Sequence, residues 1–427
     1  MRYLLLLQLL LICFLNQAQQ SNGIKFEKKN LTWKDVKQKA KNEKKYIFID
    51  AYTTWCGPCR YMSKNIFPQK EVGDFFNENF ISIALQIDTT KNDSKIIKSW
   101  YKDAKMIADS YKIKVFPTYL FLNQDGILMH TITGASENKD DFIAKSKNAI
   151  NPLTRYTNLK EDFKNGRRDS TFLLLLINAA RDASDDSLLH ASINYYLNTQ
   201  DNLLSTQNIS LIAEATSKSG DKGFDVLLNH PKEVDAVIGR ERRTGILKMI
   251  SFDEDVFPVI MINGKKTVYG GGLMIYGGGE MNTDVDWNAV KTTLNLKYGT
   301  FSKSMLLNGK LKYYEWLKDW KNFNNLMLNY RSKEDNIDTN LINNMAIKLI
   351  GDCEDKESFK NAIEWSSILT TDKTKPYFLR TYSQVLYMAG ERDSAIHFMK
   401  EYFRISNKSG KATDEIIEKM RKGEEIE

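Results

Sequence analysis

The stretch Trp55-Cys56-Gly57-Pro58-Cys59-Arg60 decides how this chain is read. It lies just beyond the apolar run Tyr46-Ile47-Phe48-Ile49, so a buried strand delivers two thiols, three residues apart, to the start of a helix. That is the arrangement of a dithiol–disulfide redox pair. Cys56 falls where the helix begins, facing unsatisfied backbone N–H groups and the positive end of the helix dipole. A free thiol ionises near pH ~8.5, and such a position draws it towards ~7. Cys56 is therefore the expected nucleophile. Cys59, one turn later and deeper, is the expected resolving thiol. Gly57-Pro58 lets the loop turn tightly and puts proline in the first helical turn, which tolerates it. The alternative is a static cross-link, but a bridge between residues this close constrains the unfolded chain little and stabilises poorly.

Working outward, 427 residues exceed one ordinary domain, and two or three are expected. An apolar share of 42% with 27% charged residues is that of a soluble globular chain. The net charge of +7 is dispersed, with Lys and Arg mixed among Asp and Glu. This describes a solvated surface, and no nucleic-acid partner is expected. Four cysteines occur, Cys13, Cys56, Cys59 and Cys353. One close pair falls short of the four ligands of a structural zinc site, and His130, His190, His230 and His397 are scattered, so no metal is expected. No cofactor is expected beyond the redox-active disulfide Cys56–Cys59. Cys353, flanked by Asp352, Glu354 and Asp355, reads as an inert thiol because acids disfavour the thiolate.

Residues 1–18 form a separate object: Arg2, an apolar core from Tyr3 to Leu15 and the small residue Ala18. This is how a secretory signal is built, and its core is short for a membrane span. A periplasmic or secreted location is expected. Lipid attachment at Cys13 is the less favoured reading, because Phe14 follows it.

Taken in order, Leu31–Ala40 reads as a helix capped by Thr32, and 46–52 as a buried strand. Helical spacing from Cys59 carries Met62, Ile66 and Phe67 to an interruption at Pro68, and Val72, Phe75 and Phe76 continue a helical face. Residues 80–88 form the next strand. A polar insertion at 89–105 contains a helix marked by Ile96, Ile97, Trp100 and Tyr101. Residues 119–122 and 127–132 make a hairpin around Asn123-Gln124-Asp125-Gly126, and 140–150 a closing helix. Beyond Asn151 helical periodicity dominates. It marks helices around 172–180, 188–197, 203–213 and 224–228, a single one through Tyr313 to Leu326, and three more between Ala362 and Met399. Val256–Ile262 reads as a strand and Asn263–Lys266 as a turn. The triplets Gly270–Gly272 and Gly277–Gly279 lack the spacing of a phosphate-binding loop and read as a flexible loop.

Residues 24–150 resemble the thioredoxin family. The resemblance rests on Asp50, Trp55-Cys56-Gly57-Pro58-Cys59, Phe116-Pro117-Thr118, Asp125-Gly126 and Gly134, in that order. Trp33, Lys44-Lys45 and Phe67-Pro68 are similar to the exported thioredoxin-like proteins common in Bacteroidetes-type bacteria. The resemblance implies an α/β thioredoxin fold, here followed by a mostly α-helical, solenoid-like repeat domain. It implies that Asp50 accepts the proton of Cys59, and that Pro117 follows a cis bond opposite the cysteines. It further implies a substrate-binding surface of Trp55, Gly57, Pro58, Phe116 and Pro117, with the backbone of Phe116 pairing an extended substrate chain. Trp55 either shields the disulfide or simply packs. Three departures are visible: the insertion, the bulk of Phe116, and Ala84 where many members carry a lysine near the buried carboxylate.

Ala362–Phe403 resembles one tetratricopeptide-type repeat, on Ala362, Trp365, Pro376-Tyr377, Tyr382, Leu386, Gly390 and Ala395-Ile396. One repeat cannot bury its face alone, which implies degenerate neighbours and a protein partner on the helical region. The expected division is 1–18 signal, 19–150 thioredoxin-like, 151–300 helical with a glycine-rich loop, and 301–427 helical and tetratricopeptide-like. Two functional readings follow. One is an extracytoplasmic thiol–disulfide oxidoreductase acting on protein thiols and disulfides, fed by a membrane thiol electron donor. The other is a helical-repeat scaffold whose thioredoxin-like part is accessory.

Overall fold

The computed structural model describes residues 23–27, 31–268, 274–333 and 337–426. The signal reading of 1–18, with Cys13, and the triplet 270–272 lie outside the described residues. Helix α1 (Trp33–Glu43) opens on a reciprocal capping box between Thr32 and Asp35 and ends at Lys44 in the left-handed conformation. It leads into β1 (Tyr46–Tyr52). Helix α2 (Gly57–Tyr61) passes into a π-helical turn, Met62–Ile66, just ahead of Pro68. Then come α3 (Lys70–Asn79), β2 (Phe80–Gln86), α4 (Lys95–Tyr111), β3 (Thr118–Leu122), β4 (Leu128–Thr133) and α5 (Lys139–Ile150).

The four strands form one mixed sheet in the order β2-β1-β3-β4. β1 is parallel to β2 and antiparallel to β3, so it is paired on both edges. Both of its faces are covered, and they alternate with period two. Ile47 and Ile49 join Trp33, Trp100 and Ile107 on one side. Phe48 joins Met62, Phe76, Tyr119 and Phe142 on the other. Asp50, two residues after Phe48, therefore points to the side where α2 lies. The helix expected within the polar insertion 89–105 is α4, which is capped by Ser94 and runs on to Tyr111; it buries Trp100, Ala104 and Ile107 while Lys102 and Lys105 face outward.

The described residues fall into two compact units, one reaching Ile246 and including Val268 and Met274, the other comprising 247–267 and the described residues from Ile275 onward. In the first, helices Tyr156–Lys164, Ser170–Asp182, Asp186–Asn198, Thr206–Ala215, Phe224–Asn229 and Pro231–Ile238 follow the sheet. They are fastened to β4: Thr157 Oγ1 donates to the Met129 carbonyl (2.8 Å) and the Tyr156 N–H to His130 Nδ1 (3.1 Å). Burial pushes His130 down to about 4, helped by the charge of Arg155, so the ring is neutral at pH 7 and free to accept. Leu203-Leu204 precede their helix instead of opening it, because Ser205 is the residue that caps it.

In the second unit the apolar run at Tyr313–Leu326 is two helices, Ser302–Leu317 and Trp320–Lys333. Lys318 adopts a left-handed conformation between them and donates back to Glu315 and Tyr314. Val256–Ile262 is mostly helical as well, with only Met261–Ile262 forming a strand. Pro258 sits in the first turn of Phe257–Ile260, and Phe252, Val256 and Ile260 are all buried at a spacing of four. A continuous apolar run hid that period. Gly279 has a steric reason: a Cβ there would lie 2.3 Å from the Ile262 carbonyl oxygen. Trp365, fully buried, donates its indole N–H to Asn324 Oδ1 at 2.8 Å. Trp365→Phe should lower the stability of this unit by ~2 kcal/mol, since it strands a buried acceptor and loses ring volume; a denaturant titration followed by tyrosine fluorescence reads it. No helix among the described residues is long and apolar enough to cross a membrane.

Candidate redox site

The sheet register assembles the site. Ala51 of β1 pairs with Thr118 of β3, which carries Phe116-Pro117 to the sheet end where β1 hands over to residues 53–59. The Phe116–Pro117 peptide bond is cis. The carbonyl of Pro117 accepts the Gly134 N–H (2.8 Å), and Thr118 Oγ1 donates to the Val115 carbonyl (2.7 Å), so the loop is tied at both ends. Trp55 is 68% exposed, with its ring set edge-to-face on Phe116 at 5.9 Å. Core packing is thus excluded as its role.

Cys56 and Cys59 are joined in a disulfide. Cys56 is the N-cap of α2, in extended conformation, and its Sγ accepts the backbone N–H of Cys59 at 3.0 Å. An N-terminal N–H aimed at sulfur stabilises negative charge there. Both cysteines are buried, Cys56 at 2% and Cys59 at 7% exposure, so exposure does not tell them apart. What separates the two thiols is polarity of setting, not depth.

Asp50 is 6% exposed, and burial alone pushes its carboxyl up to about 7. Its strand neighbours are Ala84 on one side and Tyr119 on the other. The Tyr119 phenol is pushed far up, first by its own burial and then by the charge of Asp50. Asp50 and Cys59 line one cavity of about 480 Å³, whose walls include Phe26, Phe67 and Ala84. The Asp50 carboxyl and Cys59 therefore share one space. Cys353, in the other unit, is buried and unpaired. Burial first, and the nearby acids only after it, push its thiol up.

Sequence reasoning missed the clamp on the loop. Asp88, at the end of β2, accepts the Thr54 N–H at 3.0 Å and also the Thr54 hydroxyl. Arg60 Nη1 donates to the Thr54 carbonyl (3.0 Å). Asp93 gathers the Tyr101 hydroxyl (2.6 Å), Thr90 and Gln86, which holds it well below the usual carboxylate range. The only signal was an aspartate closing an apolar strand. Asp88→Ala should lower the melting temperature by ~2–4 °C, and a thermal scan checks this. Among the described residues, no cluster of His, Cys, Asp and Glu is placed to hold a metal ion.

A model of the thioredoxin-like domain matches residues 33–150. Thioredoxin-1 of Drosophila melanogaster is 30% identical over 95 residues, which cover 22% of this chain and 72% of the relative. The chain belongs to the thioredoxin family. Thioredoxin H1 of Arabidopsis thaliana is 25% identical over 114 residues, 27% of this chain and 84% of that one. Among solved structures, the DsbH oxidoreductase is 16% identical, covering 30% of this chain and 85% of its own at a TM-score of 0.26. The domain model stops at residue 150. As a thioredoxin-family protein with a formed Cys56–Cys59 pair, the chain is a thiol–disulfide oxidoreductase. Ala84 pairs with Asp50 across β1 and β2, and both residues line the cavity.

Proposed function

We propose that this protein works outside the cytoplasm, reducing or exchanging disulfides of protein substrates, with Cys56 attacking and Cys59 resolving. The observation that carries the assignment of roles is the Cys59 N–H held 3.0 Å from Cys56 Sγ. It favours charge on Cys56, while Cys59 shares its cavity with Asp50.

In the reduced protein the Cys56 thiolate attacks one sulfur of a substrate disulfide. The substrate S–S bond breaks, the distal sulfur leaves as a thiolate and takes a proton from water, and a mixed disulfide remains on Cys56. Asp50, as carboxylate, takes the Cys59 proton. The Cys59 thiolate then attacks Cys56 Sγ, the mixed disulfide breaks, and the second substrate thiolate departs. Two electrons have passed to the substrate, and the Cys56–Cys59 disulfide is left. A membrane thiol donor returns those electrons. Trp55, Gly57, Pro58, Phe116 and Pro117 form the substrate face, and the exposed Trp55–Phe116 pair offers it an apolar contact. The leader-like composition of residues 1–18 supports the extracytoplasmic setting. The helical region beyond 150 is assigned to holding a protein partner. Within it, Tyr377–Ala389 and Arg392–Ile405 turn on Gly390 and are cross-linked by Ser383 Oγ donating to the Ala395 carbonyl at 2.7 Å.

Trapping tests the roles. Cys59→Ser should accumulate a substrate adduct on Cys56 that dithiothreitol releases, identified by peptide mass. An adduct that forms on Cys59 in Cys56→Ser, and not on Cys56 in Cys59→Ser, would reverse the assignment.

A further inference from the structure

The cavity behind the disulfide is larger than proton transfer requires. At about 480 Å³ it has room for a small organic molecule, and its wall is built, not incidental. The segment Gly23–Phe26 is pinned along one side: the Ile24 N–H donates to the Phe67 carbonyl (2.9 Å) and Asn77 Nδ2 to the Gly23 carbonyl (3.1 Å). Gly23 permits this approach, because a Cβ there would lie 2.3 Å from the Phe67 carbonyl oxygen. The Phe26 ring leans on Phe67 at 5.6 Å, completing an apolar wall.

Into this apolar space point two polar groups that the protein leaves without partners. Asp50 has no hydrogen bond or ion pair among the described residues and is 6% exposed. Thr53 is 4% exposed, and its Oγ1 is buried without a partner. Ala84, the strand neighbour of Asp50, ends at a methyl group. A buried carboxylate without a counter-charge is costly, and a ligand that brings one recovers that cost on binding. Arg60 also lines the cavity but is exposed at its rim, and its guanidinium is engaged with the Thr54 carbonyl.

We propose that this cavity is a binding site for small organic amines, the ammonium group pairing with Asp50 and Thr53 and the apolar body lying against Phe26, Phe67 and Ala84. Such a ligand would sit in the space that Cys59 and Asp50 share, making the cavity a small-molecule site attached to the redox pair. The binding itself does not depend on Asp50 acting as a proton acceptor.

Ligand-observed saturation-transfer NMR on the full-length oxidised protein tests it, with benzylamine, benzyl alcohol and benzoate as probes of one shape and three charges. Benzylamine is expected to bind with a dissociation constant on the order of 1 mM, about tenfold tighter than benzyl alcohol. Ala84→Leu, which fills the cavity, should abolish benzylamine binding. Asp50→Asn, an isosteric change that keeps the cavity, should bring benzylamine to the level of the alcohol. Circular dichroism confirms that each variant is folded, and either variant alone suffices. Equal binding of amine and alcohol to the unmutated protein, a preference for benzoate, or amine binding left unchanged in either folded variant would overturn the proposal.

Discussion

Cys56→Ser is expected to cut the rate of insulin disulfide reduction by at least ~10³-fold, to the uncatalysed background. The expectation follows from electrostatics, not from exposure, since both cysteines are buried. Cys56 is the sulfur that receives a helix-terminal N–H, so it is the one whose thiolate the fold supports before a substrate arrives. Serine keeps the cap, because its hydroxyl accepts the same N–H, and α2 should therefore survive the substitution. The loss is chemical: an alkoxide is not available at neutral pH and cannot form a disulfide. An unchanged rate would remove the dithiol from the activity and leave the helical scaffold reading in its place. Cys353→Ser serves as the control and should leave the rate unaltered, because that thiol is buried and unpaired, and burial pushes it up.

The second large effect belongs to Asp50, where one substitution should stabilise the fold and slow the chemistry. Its carboxyl titrates at about 7 in the folded protein and near ~3.9 in the unfolded chain. Between those values the native state holds a proton that the unfolded chain has lost, so the contribution of Asp50 to stability is greatest below pH ~4 and is lost as pH rises through ~7. Above that range the fold carries the full cost of a buried charge, on the order of 4 kcal/mol. Asp50→Asn removes the penalty. Urea denaturation should show the variant gaining roughly 2–3 kcal/mol relative to the unmutated protein between pH 5 and pH 8. The same variant should resolve mixed disulfides on the order of 10²-fold more slowly, for lack of a base beside Cys59. A variant whose stability advantage shrinks as pH rises would mean that Asp50 is not buried and uncompensated.

The sequence made the core of this site legible because its signals are local. Two cysteines three apart, a proline between them and an aspartate in an apolar strand each constrain their own few residues, and the strand periodicity then fixes the face on which Asp50 lies. The hairpin 118–133 was legible for the same reason, with Gly126 at its turn. What stayed hidden depends on partners far along the chain. The Thr54–Asp88 clamp joins residues 34 apart. The cavity needs Ala84 on β2, Gly23 before α1 and Phe67 after α2, none of which signals a void by itself. Beyond residue 150 the long apolar runs carried too little phase information. Tyr313–Leu326 read as one helix because nothing in Lys318 announces a left-handed residue, and Val256–Ile262 read as a strand because a wholly apolar run shows no period.

The account turns on Cys56–Cys59 being a cycling pair, and the reduction potential of that disulfide tests this most directly. Equilibration of the full-length protein against glutathione buffers, read by thiol alkylation, should place it between about −200 and −270 mV, where dithiols reduce substrates and are themselves re-reduced. A value below about −300 mV would make the bridge structural and contradict the account.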